Sequence, residues 1–396
     1  MSDQTQWAHE AMRREALRAR EDGRNNALSR RRFADDSAFA AENAVSAMGL
    51  PAVMDGLRQC HFRDRLLLAR LKQLLASGEE SPDDFFLSTS SAPEATPPLA
   101  ALVALLSGGG GGEESSSASV QLLAVQVVAN LAPLSEKNGL LLARAAGPFL
   151  VTLLSSGSAR LREASCVALG NLALAGAKVV RVLVNQEVVE SLVAVADDEH
   201  GGGGEEGLRS AAFYALYHVL HTCPPECVDR AALAHLADVC KGQLACKTMP
   251  IELPWVLFVL SCNHALHASL NTPAVIAKAL DVCTYEIFQK SDSRPLVRVV
   301  TPVVRLLANL CAGPGAEAAC LGVLAYPDLQ AILMALLATN YSHLCKESLW
   351  WFANIVNSDS VVVQEHLVEL DIMDKLEFHT VQAVQKMDPY LSNVIH

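Results

Sequence analysis

The sequence is poor in the features that mark most enzymes and most β-rich proteins. Aromatic residues make up only 5% of its 396 residues, and strand-like stretches joined by hairpin dipeptides are absent. No Gly-x-Ser-x-Gly, His-Glu-x-x-His or paired Cys–His motif occurs, so no catalytic site is visible. These absences predict a helical protein that is not an enzyme and that uses no cofactor.

Long apolar runs are also missing. The nearest candidate for a membrane span, Leu253 to Cys262, contains Pro254 and is shorter than the ~18 apolar residues that a spanning helix needs. The N-terminus is polar and rich in arginine, unlike a secretory signal. We therefore expect no membrane span, and we expect the 11 cysteines to be mostly buried free thiols of a reducing compartment.

Charge is distributed unevenly along the chain. The formal net charge is −12, yet eight arginines and only three acids lie between Arg13 and Arg32. The remainder of the chain is therefore strongly acidic, which makes nucleic acid a poor partner for it. A basic arm on an acidic body predicts either that the two associate or that they bind partners of opposite charge.

The helix predicted around residues 346–354 carries the most distinctive face. Trp350 and Asn354 are four residues apart and so lie on the same side of that helix. An indole beside a primary amide suits a surface that grips an extended peptide. The amide can hold the ligand backbone, and the indole plane can take a long cationic side chain. The neighbouring Trp351 is expected to face the core.

The pattern of a small residue, an asparagine and an apolar residue recurs through the chain. Its positions, with two helices in which another residue replaces the asparagine, are Asn130, Asn171, His218, Val259, Asn309 and Asn354. Successive positions are 41 to 50 residues apart, a period typical of armadillo and HEAT solenoids. We predict an all-α, right-handed α-solenoid of about seven armadillo-type repeats behind a basic N-terminal arm. The arm is assigned to residues 1–40, the solenoid to 41–380 and a tail to 381–396, with the last repeat incomplete.

Three segments give the chain a resemblance to the importin-alpha family, the armadillo adaptors for nuclear localisation signals. The segment from Val300 to Gly313 looks like the sixth repeat of that family, in which an arginine, here Arg305, replaces the usual tryptophan. The segment from Glu347 to Asn354 looks like the seventh repeat. Trp255, which is followed by no asparagine, looks like the fifth. Matching irregularities in the right order are more specific than a repeat period alone.

The arginine-rich arm is similar to the importin-beta-binding segment of that family. The residues that carry this likeness are Arg13, Arg14, Arg18, Arg24, Arg30, Arg31 and Arg32. The resemblance implies an importin-beta-like receptor as one partner, proteins with basic linear motifs as others, and a location in the cytoplasm and nucleus. It also implies that the basic triplet can lie in the protein's own groove and inhibit it.

The main groove departs from the family pattern. Gln126, Val167 and Tyr214 stand where the family has tryptophans, and Ala175 stands where it has an acid that receives a key lysine. Two functions follow as expectations. The first is a nuclear import adaptor that binds basic localisation signals. The alternative is a divergent armadillo scaffold for protein–protein interaction that no longer binds such signals.

The residues predicted to bind peptide share an inward-facing position on the repeats. They are Asn130, Asn171, Tyr214, His218, Trp255, Arg305, Asn309, Trp350 and Asn354. The asparagines could instead bridge neighbouring helices. Two histidines and two cysteines between His218 and Cys227 could suggest zinc, but their spacing fits a helix that ends in a proline-rich loop better. No metal is therefore predicted.

Overall fold

A computed structural model describes residues 31, 33, 44–60, 62–77, 97–108, 114–132, 135–198, 206–223, 227–244, 249–289 and 294–387. Over these residues the protein contains 20 α-helices and no strand, so the all-α prediction is confirmed. Among the arginines assigned to the arm, Arg31 is described, and the other six lie outside the described residues.

The helices pack into two compact units. In the N-terminal unit, residues 31–239, the helices are α1 (Leu50–Gln59), α2 (Arg65–Ser77), α3 (Pro98–Leu106), α4 (Glu114–Leu131), α5 (Glu136–Ala145), α6 (Gly147–Leu153), α7 (Ala159–Ala173), α8 (Ala177–Val184), α9 (Val188–Ala196) and α10 (Glu206–Thr222). Helix α11 (Arg230–Leu244) spans the division between the units. In the C-terminal unit the helices are α12 (Leu253–Ser261), α13 (His267–Leu270), α14 (Pro273–Phe288), α15 (Arg294–Leu310), α16 (Ala316–Leu324), α17 (Leu329–Ala338), α18 (Ser342–Val356), α19 (Val361–Leu370) and α20 (Ile372–Met387). Two short 3₁₀ helices, Ala44–Ala47 and His264–Leu266, complete the set.

Local sequence explains where many of these helices begin. The hydroxyls of Ser135, Ser158, Thr272 and Ser360 each accept a hydrogen bond from a backbone N–H of the first turn. Such caps satisfy N–H groups that have no partner within the helix, and each stabilises its helix by about 1 kcal/mol. The sequence therefore sets the residue at which each of these four helices begins.

The last helix of each repeat forms the spine of each unit. In the N-terminal unit α2, α4, α7 and α10 pack against one another in that order, and in the C-terminal unit α12, α15 and α18 do the same. Their packed faces consist of leucine, valine and alanine side chains that are almost completely buried. Each repeat thus buries its apolar surface against its neighbour, as repeat architectures require.

Several core predictions can be compared directly with the structure. Trp351 is fully buried, as predicted. Most of the described cysteines are buried free thiols, although Cys262 is exposed. Among the described helices none is by itself long and apolar enough to cross a membrane, whereas two sharply bent helix pairs have that length and composition jointly.

Candidate peptide-binding site

The asparagines of the recurring pattern connect each spine helix to the one before it. The Nδ2 of Asn130 donates to the carbonyl of Lys72 at 3.0 Å, and that of Asn171 donates to the carbonyl of Ala129 at 2.9 Å. Both asparagines are buried. The bridging role that the sequence left open is therefore present. It uses only one of the two N–H groups of each amide.

The remaining amide atoms of the same two asparagines hold a segment from the chain's own basic arm. Asn171 donates to the carbonyl of Arg31 at 2.8 Å. Asn130 donates to the carbonyl of Phe33 at 3.3 Å and accepts from its N–H at 3.2 Å. Two residues that alternate along the segment thus bind two successive repeats, as expected for an extended peptide.

Tyr214 completes this arrangement on α10. Its hydroxyl donates a hydrogen bond to Oδ1 of Asn171 at 2.7 Å. The same hydroxyl oxygen accepts a hydrogen bond from the backbone N–H of Arg31 at 3.4 Å. The ring is 1% exposed and lies directly over Gly170, where an added Cβ would be 2.6 Å from a ring carbon. A glycine is therefore required on α7 for the tyrosine to reach the asparagine.

The side chain of Arg31 is held by α10 as well. Its Nη2 donates to Oγ of Ser210 at 2.9 Å, and its Cζ lies 4.7 Å from the centroid of the Tyr214 ring. A guanidinium at this distance over an aromatic face makes a favourable cation–π contact. Sequence reasoning missed Ser210, although its position four residues before Tyr214 places it on the same helical face.

His218 has no hydrogen bond to this segment in the described structure. It is 4% exposed, packs edge-on against Tyr214 with ring centroids 4.6 Å apart, and its buried Nε2 has no hydrogen-bond partner. Burial, with His221 and Arg31 nearby, lowers the pKa of His218 to about 3. The imidazole is therefore neutral at physiological pH and supports the position of Tyr214.

Gln126 and Val167, at two positions where the importin-alpha pattern has tryptophan, and Ala175, where it has an acid, do not provide those side chains. Val167 is 3% exposed and Gln126 is half-buried. Ala175 packs against α5, because a Cβ on Gly139 would lie 2.6 Å from its own Cβ. In this groove an aromatic platform is present at Tyr214 and absent at Gln126 and Val167.

The C-terminal unit has a similar set of bridging asparagines. Asn354 donates to the carbonyl of Ala308 at 2.9 Å, and Asn309 donates to Oγ of Ser261 at 2.8 Å. Both asparagines and Trp350 are half-buried. Peptide binding by these three residues stays a prediction.

The side chains of Arg305 and Trp255 both form hydrogen bonds to other residues of the C-terminal unit. Arg305 forms a buried ion pair with Glu347, its Nε and Nη2 lying 2.8 Å and 2.7 Å from the same carboxylate oxygen. The guanidinium also lies 5.4 Å from the ring centroid of Phe258. Trp255 is 6% exposed, and its indole N–H donates to the carbonyl of Arg298 at 2.8 Å. Peptide binding by Arg305 and Trp255 also stays a prediction.

Comparison with known proteins identifies the class of this fold. The model of the armadillo/beta-catenin-like repeat family matches residues 148–174, which cover α7 and all of α6 except its first residue. A designed armadillo repeat protein is similar to the chain at 16% identity and a TM-score of 0.51, over 65% of this chain and 99% of that one. An engineered protein aligns at 17% identity and a TM-score of 0.54, over 78% of this chain and 69% of its own. The protein therefore has an armadillo-type repeat fold, in agreement with the prediction from the repeat period.

No curated protein matches the chain. Another engineered protein aligns at 18% identity and a TM-score of 0.51, over 66% of this chain and the full length of that one. At such identities the likeness concerns the fold alone. Armadillo-repeat folds typically serve as scaffolds for protein–protein interaction rather than for catalysis, and the groove described above is of a kind suited to peptides.

Proposed function

We propose that this protein is an adaptor of the nuclear import type, which binds basic peptide segments in the groove formed by α4, α7 and α10. One observation carries the proposal: Asn130 and Asn171 hold the backbone of Arg31 and Phe33 as they would hold an extended ligand. The contacts to backbone atoms accept any sequence, while the Tyr214 ring favours a cation.

The arm is proposed to have two partners in turn. In one state its Arg31–Phe33 segment occupies the groove, and in the other its arginines bind an acidic receptor similar to importin-beta, freeing the groove for cargo. A tethered segment has an effective concentration of the order of mM. Free cargo therefore competes poorly until the receptor removes the arm. Such an adaptor would work in both the cytoplasm and the nucleus.

The self-occupied groove also supports the alternative, an armadillo scaffold that does not bind localisation signals. In that case the Arg31–Phe33 segment is a permanent part of the N-terminal unit, and partners bind elsewhere. Both possibilities describe a non-catalytic protein. They differ in whether the segment leaves the groove.

One experiment distinguishes the import adaptor from the scaffold. It measures the affinity of the full chain for a fluorescent Lys/Arg-rich peptide, with and without an importin-beta receptor. For an adaptor, adding the receptor should strengthen peptide binding at least tenfold, because it removes the competing arm. The double variant Asn130→Ala, Asn171→Ala should abolish that binding. The matched double variant Asn309→Ala, Asn354→Ala should leave it unchanged.

Two results would count against the import adaptor. If the receptor neither binds the chain nor changes its affinity for the peptide, the scaffold function is the correct one. If binding is lost only when Trp350 and Asn354 are changed, the peptide site lies in the C-terminal unit instead.

A further inference from the structure

The guanidinium of Arg31 makes two kinds of contact at once. It lies over the Tyr214 ring, with Cζ 4.7 Å from the ring centroid, and its Nη2 donates to the Ser210 hydroxyl at 2.9 Å. A planar guanidinium can stack on a ring and donate within its own plane at the same time, whereas an ammonium is a compact point charge. The geometry therefore fits arginine better than lysine.

The Ser210 hydroxyl that accepts the Nη2 hydrogen bond of Arg31 is a neutral group. An ammonium is more strongly hydrated than a guanidinium, so its transfer from water to a hydroxyl and a ring recovers less of the lost hydration. The ring and the hydroxyl together therefore favour arginine over lysine.

The ring is fixed in place by its own contacts. The Tyr214 hydroxyl donates to Asn171 at 2.7 Å, and the ring lies on the bare backbone at Gly170 with 1% of its surface exposed. His218 packs against its edge. A platform that cannot turn or tilt loses little entropy when it binds a flat cation.

We propose that Ser210 and Tyr214, oriented by Asn171, form an arginine-selective subsite, so that the groove prefers ligands with arginine over lysine at the position of Arg31. This inference rests on the proposed function, because it names the ligand class of the same groove. It makes Ser210 a specificity-determining residue, for which the sequence alone gave no role.

The test uses the full chain carrying Arg31→Ala, so that the chain's own arginine does not fill the subsite. Two fluorescent peptides copy residues 27–35, one with arginine at the position of residue 31 and one with lysine there. Fluorescence anisotropy should show about tenfold tighter binding of the arginine peptide, the size expected for a hydrogen bond from a charged group. Adding Ser210→Ala should weaken the arginine peptide alone and bring the two affinities within about threefold. The control Ser191→Ala, on α9, should preserve the difference.

The outcomes separate this inference from the proposed function. The two peptides could bind with equal affinity, and both could lose binding in the Asn130→Ala, Asn171→Ala variant. That result would leave the groove a peptide site and overturn the arginine preference. A preference that survives Ser210→Ala would overturn the assignment of Ser210. Failure of both peptides to bind a folded chain would count against the adaptor itself.

An intramolecular measurement keeps the inference testable even in that last case. The N–H of Phe33 donates to Asn130, so its hydrogen exchange reports whether the segment is seated. Arg31→Lys in the full chain should speed this exchange about fivefold, since lysine loses the combined ring and hydroxyl contact. An unchanged exchange rate would overturn the arginine-selective subsite.

Discussion

In both units an asparagine side chain bridges neighbouring spine helices, but the residues around it differ. In the N-terminal unit, Asn130 and Asn171 bridge spine helices and also hold an extended segment of the chain. In the C-terminal unit, Asn354 bridges in the same way, but the adjacent charge is an internal ion pair between Arg305 and Glu347. The same repeat position therefore bridges helices in both units, and in the N-terminal unit it also holds a segment of the chain.

The difference follows from what lies next to each asparagine. Tyr214 brings a ring and a hydroxyl to Asn171, and both are directed at Arg31. Beside Asn309, one turn earlier, Arg305 supplies a cation of its own, and Glu347 neutralises it within the unit. In the N-terminal unit the ring and hydroxyl groups contact the Arg31 cation of the arm, whereas Arg305 has its counterion within its own unit.

The largest expected effect concerns that ion pair. Glu347→Ala should leave the Arg305 guanidinium buried without its carboxylate and lower the free energy of unfolding of the C-terminal unit by about 3–5 kcal/mol. Urea denaturation followed by tryptophan fluorescence measures this loss of stability, because three of the four tryptophans, Trp255, Trp350 and Trp351, are described residues of that unit.

The matched control is the exposed pair between Lys178 and Glu136 in the N-terminal unit, 3.0 Å apart. Glu136→Ala should cost less than about 1 kcal/mol, because exposed ion pairs are well solvated. Similar losses in the two variants would contradict the view that Glu347 is the internal counterion of a buried charge.

A somewhat smaller effect is expected at the contact between α7 and α10. In Gly170→Ala the new Cβ would lie 2.6 Å from the Tyr214 ring and 3.1 Å from the Cα of Ala215. The N-terminal unit should lose about 3 kcal/mol through overpacking, and Tyr214 should lose its contact with Asn171. Hydrogen exchange of α7 and α10 should accelerate, while tryptophan fluorescence of the C-terminal unit stays unchanged.

Gly242→Ala provides the comparison for that substitution, because an added Cβ at Gly242 meets no atom within 4 Å. It lies within helix α11, where alanine is the better helix former, so stability should stay the same or rise slightly. A loss at Gly242 as large as that at Gly170 would show that crowding against Tyr214 is not the cause.

The smallest expected effect is a dependence of the stability of the N-terminal unit on pH. Burial lowers the pKa of His218 from 6.5 to about 3, so the unfolded chain takes up a proton below pH 6.5 that the folded chain does not. Stability from this residue is therefore complete above pH 6.5 and falls as the pH falls towards 3. By pH 5 the loss is about 2 kcal/mol.

His218→Gln should remove this part of the pH dependence, which is measured as the difference in urea stability between pH 7 and pH 5 by circular dichroism. Burial also lowers the pKa of His267 in the C-terminal unit. His267→Gln should reduce the pH dependence of tryptophan fluorescence there and leave that of the N-terminal unit as it was. An N-terminal unit whose stability does not change with pH would contradict the buried, neutral state of His218.

The recurring asparagine pattern was enough to predict the fold class and the spine helices. It worked because each asparagine follows small residues that let neighbouring helices approach closely, as Ala129 and Gly170 do here. The pattern could not decide between bridging and peptide binding, because an amide has enough donors for both, and Asn171 donates both to a neighbouring helix and to the Arg31 backbone.

The residues alone showed the arm only as a basic segment, and the expectation that its basic triplet can lie in the chain's own groove came from the family resemblance. The contact between Asn171 and Arg31 joins residues 140 positions apart, a separation that no local pattern encodes. Tyr214 was predicted to bind peptide, but its hydroxyl bond to Asn171 depends on the close approach of two helices at Gly170. The roles assigned to residues of the C-terminal unit remain predictions.

The bridging hydrogen bonds also fix the direction of the amide groups that hold the extended segment. Because the Asn130 amide is anchored to the carbonyl of Lys72, its second N–H and its oxygen are held in the directions in which they meet the backbone of Phe33. Under the proposed function, a peptide backbone that replaces this segment would meet a rigid template and need not order a mobile side chain. Substitutions in the supporting helix, one repeat away from the ligand, should then change how long a peptide stays bound without touching it.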